Sequence, residues 1–349
     1  MQENPVRNKI IFTYIYSMDF FTKIDIPASN IRIDYTSHIA FFGSCFADNI
    51  SAQFTARKFN VLANPFGTVY NPISLESQVK AIADGKIFGE NDVFQDTRCD
   101  GLWHCWNAHG SLSGSTREEC IEKLNNAATH TREFLKQADV VFITLGTAFV
   151  YYLKDASAMA GNGDAHGRAV ANCHRQAPAL FERRMISVEE AVQALENIVQ
   201  DLHRLNPKSH IVFTVSPLRH MGDGAHNNTL SKATLQLAVD KVVKCGTEIA
   251  AATYFPSYEI VMDELRDYRF YNSDMVHLSE TAEEYIFEQM VETYCNASTH
   301  ENMAKVERFL KMANHRIQDA NSPVTKEFQE KMKAQAIELE KQIPGLNLK

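Results

Sequence analysis

The sequence predicts an α/β protein built on a parallel sheet with helices packed on both faces. Two observations carry that reading. Four short runs, at 39–42, 140–145, 211–215 and 251–255, are almost continuously apolar, as strands covered on both sides must be. The segments between them carry apolar residues at helical spacing, and strands that alternate with helices build parallel sheets.

Taken in order, the first run, IAFF, stops at Gly43, and Ser44 and Cys45 then lead into a helical stretch over 46–59. Further helices are expected over 72–84, 115–137, 228–247 and 279–296. The best-defined helix lies between the second and third strands. Its residues Val188, Ala191, Leu195, Ile198 and Leu202 follow the 3.6-residue period, Ser187 and Glu190 form a capping-box pattern, and Asn206-Pro207 ends it. Residues 86–113 and 149–177 break the alternation and read as insertions on one rim of the sheet. Within the second, AGNGDAHG lacks the lysine of a phosphate loop and reads as a lid or hairpin turn. Between 300 and 343 two amphipathic helices part at Asn321-Ser322-Pro323, one lined by Val306, Phe309 and Leu310, the other by Phe328, Met332 and Leu339. They are expected to cap the main domain. Met18 opens MDFFTKIDIP as a plausible start, so the expected divisions are an extension at 1–17, a main domain at 18–298 and a helical extension at 299–349.

Composition narrows the function. Of 349 residues 45% are hydrophobic and 22% charged, the balance of a soluble globular protein large enough for a sizeable core. A formal charge of −8 offers no footprint to a polyanion, so nucleic acid is not expected as a partner. Seven cysteines, odd in number and without framework spacing, read as reduced thiols. No stretch approaches the roughly 20 apolar residues of a membrane span. The apolar run after Arg7 and Lys9 is cut by Asp19 and lacks a small-x-small cleavage site, so a signal peptide is not expected and a cytoplasmic location is.

Chemistry could sit where Gly43-Ser44 joins a strand to a helix, since such a turn can hold a nucleophile exposed among backbone N–H groups. A serine needs a base, and the base needs an orienting group. In YNSDMVHLSE, Asp274 and His277 stand three apart in a polar loop after the last strand. Loops at the carboxyl ends of parallel strands converge on one crevice, and both segments occupy such ends. Cys45 competes as nucleophile; neighbouring residues in an extended turn point apart, and Cys45 reads better as a small hydrophobe beneath the sheet. In CDGLWHCWNAHG, Cys99, His104, Cys105 and His109 match no structural zinc spacing, and no metal is expected. Trp103 and its neighbours His104 and His109 suit either a surface that stacks on a sugar ring or a packed hairpin. Arg219 and His220, just past a strand end, suit either substrate contact or a structural loop.

GSCFA at 43–47, NPFGTVYNP at 64–72, TVSPLRH at 214–220 and YFPSYEIVMDELRDYRFYNSDMVHLS at 254–279 together resemble the bacterial GSCFA-domain family, which belongs with the SGNH or GDSL-like hydrolases. The resemblance covers roughly residues 20–295. It implies a flavodoxin-like three-layer α/β/α fold and a cofactor-free serine esterase working through an acyl-enzyme. Ser44 matches the nucleophile, although Gly43 stands where the usual motif has aspartate. His277 matches the base and Asp274 its orienting carboxylate. Gly67 matches the second-block glycine that faces the oxyanion. The usual third block is G-x-N-D, whereas this chain has LGTAF, with Thr147 near the position of the asparagine and Asn71 as a substitute donor. The substrate so implied is a small-molecule or O-acetylated carbohydrate ester. Acyl transfer to a second alcohol would use the same residues. A non-catalytic carbohydrate-binding protein on the same fold is the reading that the departures at Gly43 and Thr147 motivate.

Overall fold

The computed structural model describes residues 22–154, 167–245, 252–314 and 322–348. Five parallel strands form its central sheet: β1 (His38–Gly43), β2 (Asn60–Ala63), β3 (Val140–Leu145), β4 (His210–Val215) and β5 (Ala252–Tyr254). Their spatial order is β2-β1-β3-β4-β5, the flavodoxin-like order, whose topological switch point lies between β1 and β3.

Side chains alternate along each strand, so each face of the sheet takes every second residue. Ala40, Phe42, Val141, Ile143, Ile211 and Phe213 join one core with α2 (Pro72–Ala83), α3 (Arg117–Leu135), α4 (Val188–Leu205) and α5 (Ala225–Cys245). Ile39, Phe41, Val140, Phe142 and Val212 join the other with α1 (Cys45–Ala56), α6 (Glu280–Tyr294), α7 (Ala297–Ala313) and α8 (Pro323–Gln342). The result is three layers. Each buried Phe or Ile of these faces contributes roughly 1.5–3 kcal/mol, so both helical layers are held by the sheet rather than by helix propensity. The α4 capping box forms, with the Ser187 hydroxyl accepting from the Glu190 N–H at 3.1 Å and the Glu190 carboxylate from the Ser187 N–H at 2.8 Å. In the C-terminal helices, Val306, Phe309, Met332 and Leu339 are buried in the second core.

The edge strand β2 follows directly on the helix that the sequence reads over 46–59, in a stretch where the sequence reading assigns no strand. The helix stops at Ala56, Lys58 takes a left-handed conformation with φ 66°, and the chain turns back to pair with β1. Four residues with only Leu62 buried leave little apolar signal. Both rim insertions contain strands. Phe94–Gln95 pairs with Trp103–His104 in a short hairpin, and Phe149–Leu153 is the middle of an antiparallel sheet with Ala169–Val170 and Phe181–Met185. The 1–17 extension and most of AGNGDAHG lie outside the described residues. Among the described residues no helix is long and apolar enough to cross a membrane.

Candidate active site

The site is assembled at the carboxyl ends of β1 and β3, on the switch point. Gly43 closes β1 with φ 130°, a conformation that side chains rarely adopt, and a Cβ there would stand 2.0 Å from the Thr144 carbonyl oxygen. Only glycine lets the two strand ends lie this close. The Gly43 N–H donates to Asn64 Oδ1 at 2.8 Å, and Asp48, in the first turn of α1, accepts from Asn64 Nδ2 at 2.7 Å and from the Thr68 hydroxyl at 3.0 Å. The GSCFA stretch and the NPFGT stretch are thereby tied to each other.

From that tie the chain crosses the sheet end. The Val69 N–H donates to the Gly43 carbonyl, and the Tyr70 carbonyl accepts from the N–H groups of both Gly146 and Thr147, at 2.8 and 2.9 Å. Ser44 caps α1 with its backbone alone; its side chain is 2% exposed, and its hydroxyl has no hydrogen-bond partner among the described residues. A Cβ added to Gly146 would meet Ser44 Cβ, Tyr70 Cβ and His220 Nε2, each at 3.3 Å. That convergence defines the space in front of the serine. The Tyr70 and His220 rings meet edge to face with centroids 5.5 Å apart, and the Tyr70 hydroxyl lies 3.6 Å from Cys45 Sγ. Burial, then the nearby Lys232 charge, pushes His220 down to about 4, so at neutral pH it is an uncharged imidazole.

Lys232 is the functional candidate that the sequence reading passed over. It sits in α5, 1% exposed, and its ammonium donates to the Gly146 and Ser216 carbonyls, both at 2.6 Å. The ends of β3 and β4 are thus braced from below. Burial and then the Arg219 charge push it down to about 7. The available signal is a lysine on the buried face of a helix, three residues before Leu235 and six before Ala238.

The expected oxyanion donors fare differently. The Gly67 N–H donates to the Asn64 carbonyl at 2.7 Å, with His109 packed against the place a Cβ would take. The Thr147 N–H is held by Tyr70, and its hydroxyl lies within a strand-end network with Ser231 and the Phe149 N–H. The Ser44 N–H, a further donor at this turn, is also engaged, donating to the Thr144 carbonyl at 3.1 Å. Asn71 is the exception: its Oδ1 caps α2 through the Ser74 N–H, and its amide nitrogen donates to nothing among the described residues. The same is true of the Cys45 and Phe46 N–H groups, which open α1 without a side-chain cap.

Asp274 and His277 form a pair on the loop before α6. His277 Nδ1 lies 2.5 Å from Asp274 Oδ2, while Asp274 Oδ1 accepts the N–H groups of Val276 and His277 at 2.9 Å. These bonds, the imidazole first, hold the carboxyl down to about 2. Both side chains are about half exposed, at 49% and 52%, and no hydrogen bond joins His277 to Ser44.

The Trp103–His109 stretch is used for packing. Arg117 covers one face of Trp103 at 4.6 Å, and Trp106 stacks on Phe94 with centroids 3.8 Å apart. His104 is buried between the Ser113 hydroxyl and a stacked His174. His109 is exposed and caps a short turn through the Ser111 N–H. The cysteines of this stretch do not gather with its histidines. The group that does gather is Asp96, Asp100 and His104, with ligand atoms within 4.8 Å of one another, and the Asp96 carboxylate already accepts the Arg98 and Cys99 N–H groups.

A family model described as the GSCFA family matches residues 38–290. No curated protein matches the chain. Among solved structures, it is similar to an acetyl xylan esterase from the rumen bacterium Butyrivibrio proteoclasticus, at 13% identity and a TM-score of 0.35, with 77% of this chain and 64% of that one covered. A carbohydrate esterase family 3 structure from Talaromyces cellulolyticus aligns at 8% identity and a TM-score of 0.27, over 51% of this chain and 64% of that one. The chain therefore spans under two thirds of the length of either structure.

Proposed function

The chain belongs to the GSCFA family, and from that premise we propose that it is a serine hydrolase of ester bonds with Ser44 as nucleophile, His277 as base and Asp274 as orienting carboxylate. The observation that carries this reading is the Ser44 hydroxyl, buried and without a partner at a strand-to-helix turn on the switch point. Leaving a buried hydroxyl unpaired costs ~1–3 kcal/mol, a cost that a function must justify. A reacting ester and a base supply the missing partners.

His277 engages Asp274 through Nδ1, so Nε2 is the nitrogen that takes the Ser44 proton. The exposed loop closes over bound ester to bring it within reach, as catalytic bonds that are long without substrate commonly tighten with it. Serine Oγ attacks the acyl carbon, and the carbonyl oxygen becomes an oxyanion. The Asn71 amide and the Cys45 N–H receive it, since both are free to donate without breaking an existing bond, while Gly67 and Thr147 would first have to release Asn64 and Tyr70. His277 then gives its proton to the leaving alcohol. A water molecule, deprotonated by the same imidazole, releases the acid and restores Ser44. A carbohydrate O-acetyl ester is the substrate class first in line. Acyl transfer differs only in the alcohol that replaces water.

The test is hydrolysis of 4-nitrophenyl acetate and of acetylated oligosaccharides by the wild type and by Ser44→Ala, Cys45→Ala and His277→Ala. Activity lost in the serine and histidine variants and kept in Cys45→Ala supports the reading. Equal activity in Ser44→Ala overturns it.

A further inference from the structure

Two hollows flank the Asp274–His277 loop, one acidic and the other lined by two arginines and two aspartates. One is a groove of about 1170 Å³ between α1 and α6, lined by acids that include Glu264, Glu280, Glu283 and Glu288. The other, of about 640 Å³, is lined by Arg219, Met221, Tyr268, Tyr271, Asp274 and Met275. Its acids are spent: Asp274 is bonded to His277 and two backbone N–H groups, and Asp267, also in the wall, accepts from the Arg269 N–H and lies 3.7 Å from the Arg269 guanidinium. Its cations are not. Arg219 is half-buried, forms no ion pair among the described residues, and has the Met262 sulfur at 3.7 Å as its one hydrogen-bond contact. Arg266 joins it in the wall. Among the described residues, Arg219 therefore offers a guanidinium without a carboxylate partner in the same hollow as Asp274, the carboxylate of the proposed triad.

The remaining walls are apolar and open to solvent. Met221, Tyr268 and Met275 are 47%, 76% and 54% exposed, so three large apolar side chains that folding leaves uncovered gather at one hollow. Tyrosine faces take a planar or sugar ring, and methionine adapts to irregular shapes.

We propose that this hollow is the leaving-group subsite of the hydrolase, and that it selects esters whose alcohol portion bears a carboxylate, which Arg219 binds while the Tyr268 and Met275 side of the wall contacts the ring. The inference rests on the hydrolase reading above for the reaction and on the free guanidinium for the selectivity. A guanidinium presents two parallel N–H donors to a carboxylate, a fit that neither a neutral ring nor a lysine reproduces.

The experiment has a kinetic arm and a binding arm. In the first, 4-acetoxybenzoate and its methyl ester carry the same scissile acetate and differ in one charge. The wild type is expected to favour the anion by about tenfold in kcat/KM, Arg219→Met to bring the ratio near one, and Arg219→Lys to fall between. In the second, 4-hydroxybenzoate binding is followed by calorimetry with the Ser44→Ala protein, with and without Arg219→Met. Binding weakened about tenfold by Arg219→Met supports the subsite even if no ester is cleaved, in which case the hydrolase reading alone fails. Equal binding with and without Arg219, or no binding at millimolar concentration, overturns the proposal. Phenyl phosphate bound in preference to the carboxylate overturns the carboxylate assignment. Arg266→Met is the second variant should Arg219→Met fail to fold, and a smaller loss in the same direction is expected from it.

Discussion

Ser44 is 2% exposed at the end of a central strand, with Tyr70, Gly146 and His220 around it, whereas His277 stands on a turn with 52% of its side chain in solvent and a single side-chain partner. The serine half is part of the core. Gly43, Asn64, Asp48, Tyr70 and Lys232 each hold the ends of β1, β3 or β4 by buried or half-buried hydrogen bonds, so its geometry is fixed when the sheet forms. The histidine half is a local loop, held by bonds within residues 270–279. In the proposed reaction, a nucleophile fixed by the sheet and a base carried on a local loop should respond to mutation in different currencies: the first in stability, the second in rate.

Gly43→Ala should show the largest effect. Its Cβ would lie 2.0 Å from the Thr144 carbonyl oxygen in a backbone conformation alanine resists, and a loss of about 3 kcal/mol or more is expected, read as a large drop in thermal midpoint or insoluble expression. Asp274→Asn belongs to the other half. It should melt like the wild type yet acylate ~100-fold or more slowly, because the imidazole loses its orienting partner. Asp274 stays ionised down to about pH 2, so a fall in acylation rate above that pH is not the titration of this carboxylate.

Lys232→Met sharpens the comparison further. Stripping two buried carbonyls of their donor should cost about 2 kcal/mol. The native lysine is lowered from 10.5 to about 7 by burial, so between those values the unfolded chain binds the extra proton and wild-type stability rises with pH. Denaturant titrations at pH 6.5 and pH 9 should therefore show the gap between wild type and variant widening at the higher pH. The smallest effect is expected from Trp103→Ala, at about 1 kcal/mol or less with an unchanged acylation rate, because the ring packs on the rim hairpin. A large rate loss there would place substrate on the rim and break the division.

The same division governs what the sequence reveals. Strands β1, β3 and β4 declare themselves because double burial makes them continuously apolar, and α4 because its core stripe and capping box coincide. Strand β2 does not, since an edge strand of four residues needs little apolar surface. Asp274 and His277 are legible because their bond is local, three residues apart. The surroundings of Ser44 are not, because Tyr70, Gly146, His220 and Lys232 meet only through the sheet's order, and Lys232 carries a charge where helical periodicity expects a hydrophobe. The Trp103–His109 stretch reads two ways for the opposite reason: its residue types suit a ligand or a packed hairpin alike, and only the fold brings Arg117 onto Trp103, Phe94 onto Trp106 and His174 onto His104.

The most direct test of the account is a fluorophosphonate labelling reaction read by intact mass and peptide mapping, on the wild type and on His277→Ala. The account predicts a single adduct on Ser44 in the wild type and a far slower one in the variant. A folded wild type that takes up no label, or takes it on another residue, would contradict it.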